Sequence, residues 1–598
     1  MNNLVEPSTI EALPVLGVEN EYTIESGIDV IRATGTGRPL FLLHDIHGDA
    51  AYGAALLPHI NVDMPIYGVP GMAPHERLPR TIEALATRCI RLIRAAQPNG
   101  PYRLAGWSFG GTLAYEIAVQ LIGQDQAVEF LGLIDSACPT VLRRAGCMTS
   151  VPSIEQQLLE CCEENQSAFD AASSIAFAKL RAANEPNFED MLQRCRAACL
   201  LPSDLIDKDS AQTRHYLARL AAHRYAQQHY AVQRLPIPVH LFSSAQGSPS
   251  QGELGDPLKG WGKILSPEQL RLIRVQVSAG TALRSSHVAA LGRSLGEAVR
   301  EAASGSLPRV TLLETKYDPH VSVQTGRRAC IPIFCVPGAG NSVTHFAAWA
   351  QALGEEWPVH GLQPRGVAGG LVPHSTVQAA AAQYLGAIHE AHPRGPVHLV
   401  GHSFGGWIVL ELAHLLRARG RTVASLTVID AEAPDYQDPL GGDYTSTEVL
   451  VELVDMIEMA VNKPLGIKAP DLAPLDDIGR QRVLHQALVR VGMMPMRSGP
   501  EVLAGIVRTF GAALRTTYCP AAPYPDPLRL VTVSDTRINA NADKRRCEEQ
   551  LQGWRRWAPR LSSWHGPGNH MTLLDLPHVT AVADWWRSGP RVGAAHSP

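Results

Sequence analysis

One segment of this sequence occurs twice in nearly the same form. The stretch RLAGWSFGGTLAYEIA, which contains Ser108, matches HLVGHSFGGWIVLELA, which contains Ser403. The offset between these serines, 295 residues, recurs between two aspartates further along, Asp135 and Asp430. Because the register holds across a whole segment, the chain is a tandem duplication, and both halves must adopt the same fold.

Each half alternates short apolar runs with amphipathic stretches. In the first half, one apolar run leads into the segment around Ser108, and the next, FLGLIDS, ends at Ser136. Strands that alternate with helices indicate parallel βαβ units. We therefore predict an α/β protein with two doubly wound, mostly parallel sheets. In each half about a hundred residues of helical pattern follow the acid-bearing strand, which is where a lid over the strand ends belongs.

The chain of 598 residues is too long for a single core. The patterns predict the following division: an N-terminal extension at 1–30, a first domain at 31–303 with its lid at about 140–235, a linker at 304–328, a second domain at 329–590 with its lid at about 434–523, and a tail at 591–598.

The repeated segment is a G-x-S-x-G turn between a strand and a helix. The glycines allow a sharp turn that exposes the serine hydroxyl, and the helix N-terminus behind it favours a developing oxyanion. A third match, GRSLG at 292–296, lies in an amphipathic helical stretch with no strand before it. We interpret this third match as a chance occurrence.

With these motifs, both halves resemble the thioesterase domains that end non-ribosomal peptide and polyketide synthetases, a branch of the α/β-hydrolase fold. The resemblance implies that Ser108 and Ser403 are nucleophiles and that Asp135 and Asp430 are the acids of the catalytic triads. Other α/β-hydrolases place this acid one strand later, where the second half has Asp535. Asp535 is therefore the alternative acid of that half.

The catalytic histidine distinguishes the two copies. In the second half the family pattern is HGPGNHMTLLDLPHV, which implies that His570 is the base and that His565 is an alternative. When His287 of the first half is aligned with His578, Ala279 stands opposite His570. The first copy is therefore expected to lack its base, with His287 as the alternative for that role.

The resemblance also implies an oxyanion hole of backbone N–H groups in each half. These belong to Ala339 and Phe404 in the second half and to Ile46 and Phe109 in the first. The family needs no metal and no bound cofactor, because its substrate arrives on the phosphopantetheine arm of a carrier protein.

The expected activity is that of a serine hydrolase of the thioesterase type. It would release an acyl, peptidyl or polyketide chain from the carrier through an acyl-serine, by hydrolysis or cyclisation, with the second domain active and the first impaired. Two alternatives stay open: a carboxylesterase or lipase that acts on free esters, or a first domain that is a non-catalytic module for binding a carrier or an acyl chain.

Composition restricts the partners. A net charge of -4 with 18% charged residues gives no basic footprint for nucleic acid, and no apolar run is long enough to predict a membrane span. The first residues lack the apolar core of a secretory leader, and the 11 cysteines are scattered, so we expect a cytoplasmic protein. The carrier protein or synthetase module is expected in trans.

Overall fold

Each half of the chain forms a sheet of seven strands. The computed structural model describes residues 27–144, 148, 150–166, 169–182, 187–244, 256–275, 285–305, 317–327, 329–434 and 442–589. Of the helices in these ranges, none is both long and apolar enough to cross a membrane.

The two sheets have the same strand order. The strands of the first sheet are β1 (Asp29–Arg32), β2 (Leu40–Leu43), β3 (Ile66–Val69), β4 (Tyr102–Trp107), β5 (Val128–Ile134), β6 (Val239–Ser244) and β7 (Leu270–Val275). Those of the second are β8 (His320–Gln324), β9 (Ile333–Val336), β10 (Val359–Leu362), β11 (Val397–His402), β12 (Val423–Ile429), β13 (Leu528–Thr532) and β14 (Leu561–His565). The orders are β1-β3-β2-β4-β5-β6-β7 and β8-β10-β9-β11-β12-β13-β14. Only β1 and β8 run antiparallel to their neighbours, so the prediction of two doubly wound, mostly parallel sheets is confirmed.

Helices cover both faces of each sheet. Those of the first half are α1 (Tyr52–Leu56), α2 (Ile82–Ala96), α3 (Phe109–Gly123), α4 (Pro139–Arg144), α5 (Ile154–Glu164), α6 (Ala171–Arg181), α7 (Phe188–Ala197), α8 (Ser203–Ile206), α9 (Ser210–His229) and α10 (Ser285–Ala303). Those of the second are α11 (Ala347–Leu353), α12 (Val377–Ala391), α13 (Gly405–Ala418), α14 (Ser446–Val461), α15 (Ala469–Leu472), α16 (Asp477–Arg490), α17 (Ala504–Arg515), α18 (Ala540–Trp557) and α19 (Val579–Arg587). Helices α4–α9 and α14–α17 occupy the segments predicted as lids.

The central strands are apolar because both of their faces are buried. Every residue of β12 and every residue of β13 is buried. In the second half, α12 and α13 pack on one face of the sheet, and α11 and α19 pack on the other. Parallel strands enclosed in this way read as continuous apolar runs, which is why the sequence pattern revealed them.

The two antiparallel edge strands lie partly or wholly outside the predicted domain limits. Strand β8 lies within 304–328, which was interpreted as linker, and β1 starts inside the predicted extension at 1–30. Both pair along one side only and are largely exposed, so they lack the apolar run that identified the other strands.

Glycines allow the backbone to approach closely at the second G-x-S-x-G turn. A Cβ added to Gly405 would lie 2.3 Å from the carbonyl oxygen of Val336, and one added to Gly401 would lie 2.3 Å from the carbonyl oxygen of Gly405. These neighbours are backbone atoms of β9 and of the turn itself, which cannot move independently. Only glycine therefore lets α13 begin against the end of β9.

We expect Gly405→Ala to destabilise the second half by about 1–3 kcal/mol, because the methyl group must displace backbone rather than a flexible side chain. The matched control is Gly386→Ala in the exposed part of α12, where a Cβ meets nothing within 4 Å. The control should be neutral or stabilising by up to about 1 kcal/mol. Urea unfolding followed by tryptophan fluorescence measures both, and equal midpoints would contradict the steric explanation.

Candidate active site

Ser403 lies in the turn between β11 and α13. Its φ of 52° is in the left-handed region, where the backbone of residues other than glycine is strained. The turn is held because the Ser403 N–H donates to the carbonyl of Ile429 at 2.8 Å, and the Gly406 N–H donates to the carbonyl of Ser403 at 2.8 Å. The strained turn leaves the Ser403 side chain partly exposed at the carboxyl end of the sheet.

Asp430 and His570 form a hydrogen-bonded pair. Asp430 directly follows β12, and its side chain is only 5% exposed. Its Oδ2 lies 2.8 Å from Nδ1 of His570, which is in the loop after β14. Because a carboxylate accepts, Nδ1 of the neutral imidazole carries the proton and Nε2 is left as the atom that can accept one.

Two neighbours fix the loop that carries His570. Nε2 of His402 lies 3.0 Å from the carbonyl oxygen of His570, and Asn569 donates through Nδ2 to the carbonyl of Met459 at 3.3 Å. Burial lowers the pKa of His402 well below its usual value, so this ring is neutral and must donate through Nε2. Sequence reasoning missed His402, although its place directly before Ser403 was a signal.

Ser403, Asp430 and His570 line one cavity of about 460 Å³. Its lining combines apolar and charged side chains. The apolar side chains are Trp407, Tyr444, Met456, Met459, Phe510 and Leu514, and the charged ones are Glu432, Glu452, Asp535, Arg537 and Arg546. Apolar walls around a few convergent polar groups are typical of sites for small organic ligands.

Ala339 and Phe404, predicted for the oxyanion hole, also line this cavity. Phe404 stands at the N-terminus of α13, where the helix dipole favours negative charge. Ala339 lies in the turn after β9, and a Cβ added to the neighbouring Gly338 would sit 3.0 Å from Cβ of Ser403. This glycine allows the turn to approach the serine closely.

The two alternatives in the second half have other partners. Asp535 accepts from Nε and Nη2 of Arg537 at 2.9 and 2.8 Å, and these hydrogen bonds lower the pKa of Asp535. The ring of His565 lies between the hydroxyls of Thr532 and Ser534, at 3.2 and 3.1 Å. The geometry thus pairs His570 with Asp430, and Asp535 contributes charge to the cavity.

The first half repeats the turns but pairs its aspartate differently. Ser108 has a φ of 52° and Asp135 one of 49°, close to those of their counterparts. The Oδ1 of Asp135, however, forms an ion pair with Nζ of Lys259 at 2.8 Å, and this carboxyl is 33% exposed. Ala279 lies outside the described residues. His287 is the third residue of α10, and its Nδ1 has no hydrogen-bond partner among the described residues.

Helix α9 covers the turns of the first half that correspond to the oxyanion hole. Nδ1 of His223 on α9 lies 2.8 Å from the carbonyl oxygen of Ile46, and its ring stacks on Phe109 with 4.6 Å between centroids. Burial lowers the pKa of His223 well below its usual value, so the ring is neutral. Sequence reasoning did not predict this contact, which depends on how the lid packs.

The fold and this site define an α/β-hydrolase with a Ser, His and Asp arrangement in its second half. A model of the Thioesterase domain family matches residues 38–190 and 331–587, more than half of the chain. The chain therefore belongs to the thioesterase domain family, and the resemblance inferred from the sequence is confirmed.

Multidomain synthetases are among the relatives. A dimodular nonribosomal peptide synthase of Bacillus subtilis is 38% identical over 117 residues, 19% of this chain and 5% of the relative. Chondramide synthase cmdD of Chondromyces crocatus is 24% identical over 313 residues, 51% of this chain and 8% of the relative. The chain thus spans a small part of these proteins.

Solved thioesterase domains are among the similar structures. The Vlm2 thioesterase domain is 21% identical, with a TM-score of 0.34, and covers 45% of this chain and 98% of its own. RedJ, a thioesterase from the prodiginine biosynthetic pathway in Streptomyces coelicolor, is 22% identical, with a TM-score of 0.31, and covers 43% and 88%.

We expect Asp430→Asn to slow the reaction of Ser403 with a fluorophosphonate probe by orders of magnitude, on the order of 10⁴-fold for a triad aspartate in a catalysed reaction. The amide removes the negative charge that orients His570 and stabilises its protonated form. Asp535→Asn, which alters an acid of the same cavity, is the matched control and should change the rate by less than about tenfold. Intact-protein mass spectrometry follows the labelling, and a larger effect of Asp535→Asn would assign the acid to the later strand.

Proposed function

We propose that the second half is a thioesterase that releases an acyl, peptidyl or polyketide chain from the phosphopantetheine arm of a carrier protein. Ser403 is the nucleophile, His570 the base and Asp430 the acid that holds the base. The observation that supports these roles best is the 2.8 Å contact between His570 Nδ1 and Asp430 Oδ2, in a cavity that Ser403 also lines.

In the first step Ser403 Oγ attacks the thioester carbonyl while His570 Nε2 takes the hydroxyl proton. Asp430 keeps the imidazole in the productive tautomer and stabilises its charged form. The N–H groups of Phe404 and Ala339 bind the oxyanion. The intermediate then collapses, the C–S bond breaks, and the proton on His570 passes to the departing thiol, which leaves an acyl-serine.

In the second step another nucleophile releases the chain. Either water or a hydroxyl or amine within the chain gives its proton to His570 and attacks the acyl-serine carbonyl. The ester C–O bond then breaks as His570 returns the proton to Ser403 Oγ, so that water yields the free acid and an internal nucleophile yields a ring. The apolar side chains of the lining suit a lipophilic chain, while Arg537 and Arg546 offer hydrogen-bond donors to water or a polar group.

The first half takes no catalytic part in this proposal. The Lys259 ammonium neutralises Asp135, so this carboxylate is poorly placed to stabilise an imidazolium. Helix α9 packs on Ile46 and Phe109, where an oxyanion would have to bind. A serine without a base is a weak nucleophile at neutral pH, so we propose that Ser108 is not acylated.

The carrier is proposed to arrive in trans, as a separate protein or a module of a synthetase. The phosphopantetheine arm is then part of the substrate, and no resident cofactor or metal is needed. The multidomain synthetases among the relatives support this partnership.

We expect Ser403→Ala to abolish hydrolysis of acyl N-acetylcysteamine thioesters, a loss on the order of 10⁴-fold or more, because it removes the atom that forms the acyl-enzyme. Ser108→Ala, the matched change in the other copy, should retain wild-type rates. Thiol release and mass spectrometry of the products measure the outcome. Faster turnover of p-nitrophenyl esters than of thioesters would favour a carboxylesterase, and acylated Ser108 would contradict the assignment of the first half.

A further inference from the structure

The first half holds the start of lid helix α14. Both carboxylate oxygens of Asp443, three residues before α14, accept from the first half: Oδ2 from the Arg80 backbone N–H at 2.8 Å and Oδ1 from the Thr81 hydroxyl at 2.7 Å. The Arg80 guanidinium also donates to Glu448, in the first turn of α14, at 3.1 Å. The Asp443 side chain is only 5% exposed, whereas the Arg80 and Glu448 side chains are 44% and 41% exposed, so the Arg80–Glu448 contact lies at the surface.

The first half also holds the end of lid helix α17. Arg515, the last residue of α17, forms an ion pair with Glu83 in the first turn of α2 at 3.1 Å. Its Nε and Nη2 donate to the carbonyl of Tyr444 at 3.0 and 2.9 Å, so one guanidinium ties α17, the start of α14 and the first half together. Burial raises the pKa of Glu83, and the charge of Arg515 opposes that rise.

Further contacts join the two lids. Ser446, the first residue of α14, donates its hydroxyl to the carbonyl of His229 at the end of α9, at 3.3 Å. Arg143 of α4 lies 3.6 Å from Asp477, the first residue of α16. Three of the four lid helices of the second half are therefore contacted by the first half at one of their ends.

The same helices form the walls of the cavity. Helix α14 and the residue before its cap supply Tyr444, Met456 and Met459, and α17 supplies Phe510 and Leu514. The far end of α14 reaches the base, because the Met459 carbonyl accepts from Asn569, the residue before His570. At 1.5 Å per residue, α14 spans about 20 Å between Ser446, which contacts the first half, and Met459, which contacts the base loop.

We infer that the first half is a positioning domain for the second: Arg80, Thr81 and Glu83 fix α14 and α17, and thereby set the shape of the acyl cavity. This inference rests on the proposed function of that cavity. Lids are otherwise weakly held elements, so fixing their ends arranges the apolar walls before substrate binds. Release of the lid should therefore weaken binding of the substrates that contact these walls, which are long acyl chains.

The test uses the full chain with Arg80→Ala/Thr81→Ala and, separately, Glu83→Gln, which keeps the side-chain size but removes the charge that Arg515 pairs with. Arg181→Ala is the matched control, because Arg181 pairs with Glu163 within the first half, and among the described residues it forms no ion pair with the second half. Hydrogen exchange is measured for peptides that cover 442–461, 504–516 and, as an internal reference, 377–391.

We expect exchange in 442–461 and 504–516 to rise about tenfold or more in both test variants, the loss expected when one or two charge-assisted hydrogen bonds are removed. The reference peptide and the control variant should keep wild-type exchange.

The KM for a long-chain acyl thioester should rise about tenfold while kcat/KM for an acetyl thioester changes less than about threefold. Arg80→Lys, which keeps the positive charge, should restore part of the loss relative to Arg80→Ala.

Unchanged exchange of both lid peptides in both variants would overturn the inference. So would faster exchange with no change in the discrimination between long and short chains, since the lid would then be held without shaping the cavity. Failure of the proposed function is distinguishable from either result: the wild type would turn over no thioester, while the exchange experiment would still report on the lid contacts.

Discussion

The architecture depends on the close backbone approach at the turn after the central strand of each sheet. In the second half, Gly401 and Gly405 allow α13 to start against β9, and Ser403 takes a left-handed conformation held by the carbonyl of Ile429. Strand β12 supplies the carbonyl that holds this turn, and β9, on the other side, supplies the backbone against which Gly405 packs. The first half keeps the same backbone conformation at Ser108. This conformation belongs to the fold and does not by itself determine the chemistry of the site.

The halves differ in the partner of the aspartate that follows the fifth strand of each half. Asp430 gives one oxygen to His570 and lies 3.5 Å from the Gln550 amide through the other, so its negative charge is available to the imidazole. Asp135 instead forms an ion pair with the Lys259 ammonium. The residue directly before the serine also differs between the halves. His402 donates to the carbonyl of His570. The indole N–H of its counterpart, Trp107, has no hydrogen-bond partner among the described residues.

Most of the fold could be predicted because enclosed parallel strands leave continuous apolar runs, and a duplication repeats each signal. The same regularity brought Ser403 and Asp430 to one sheet edge, and the family spacing selected His570. The edge strands β1 and β8 were missed because a strand that pairs on one side leaves no such run. His402, Lys259 and the contact of His223 with Ile46 were missed because they join residues far apart in sequence, and their patterns carry no information about the partner.

In our proposal the first half takes no catalytic part, so its lid is free of the requirement for an open site. A working site needs space above the oxyanion turn, and in the second half α14 and α17 leave a cavity of about 460 Å³ there. In the first half α9 instead fills that position with His223, so the lid is packed as core. A lid packed in this way is a rigid support, and its end at His229 and its helix α4 meet the second lid. The packing that would close the first site is thus what allows the first half to support the second.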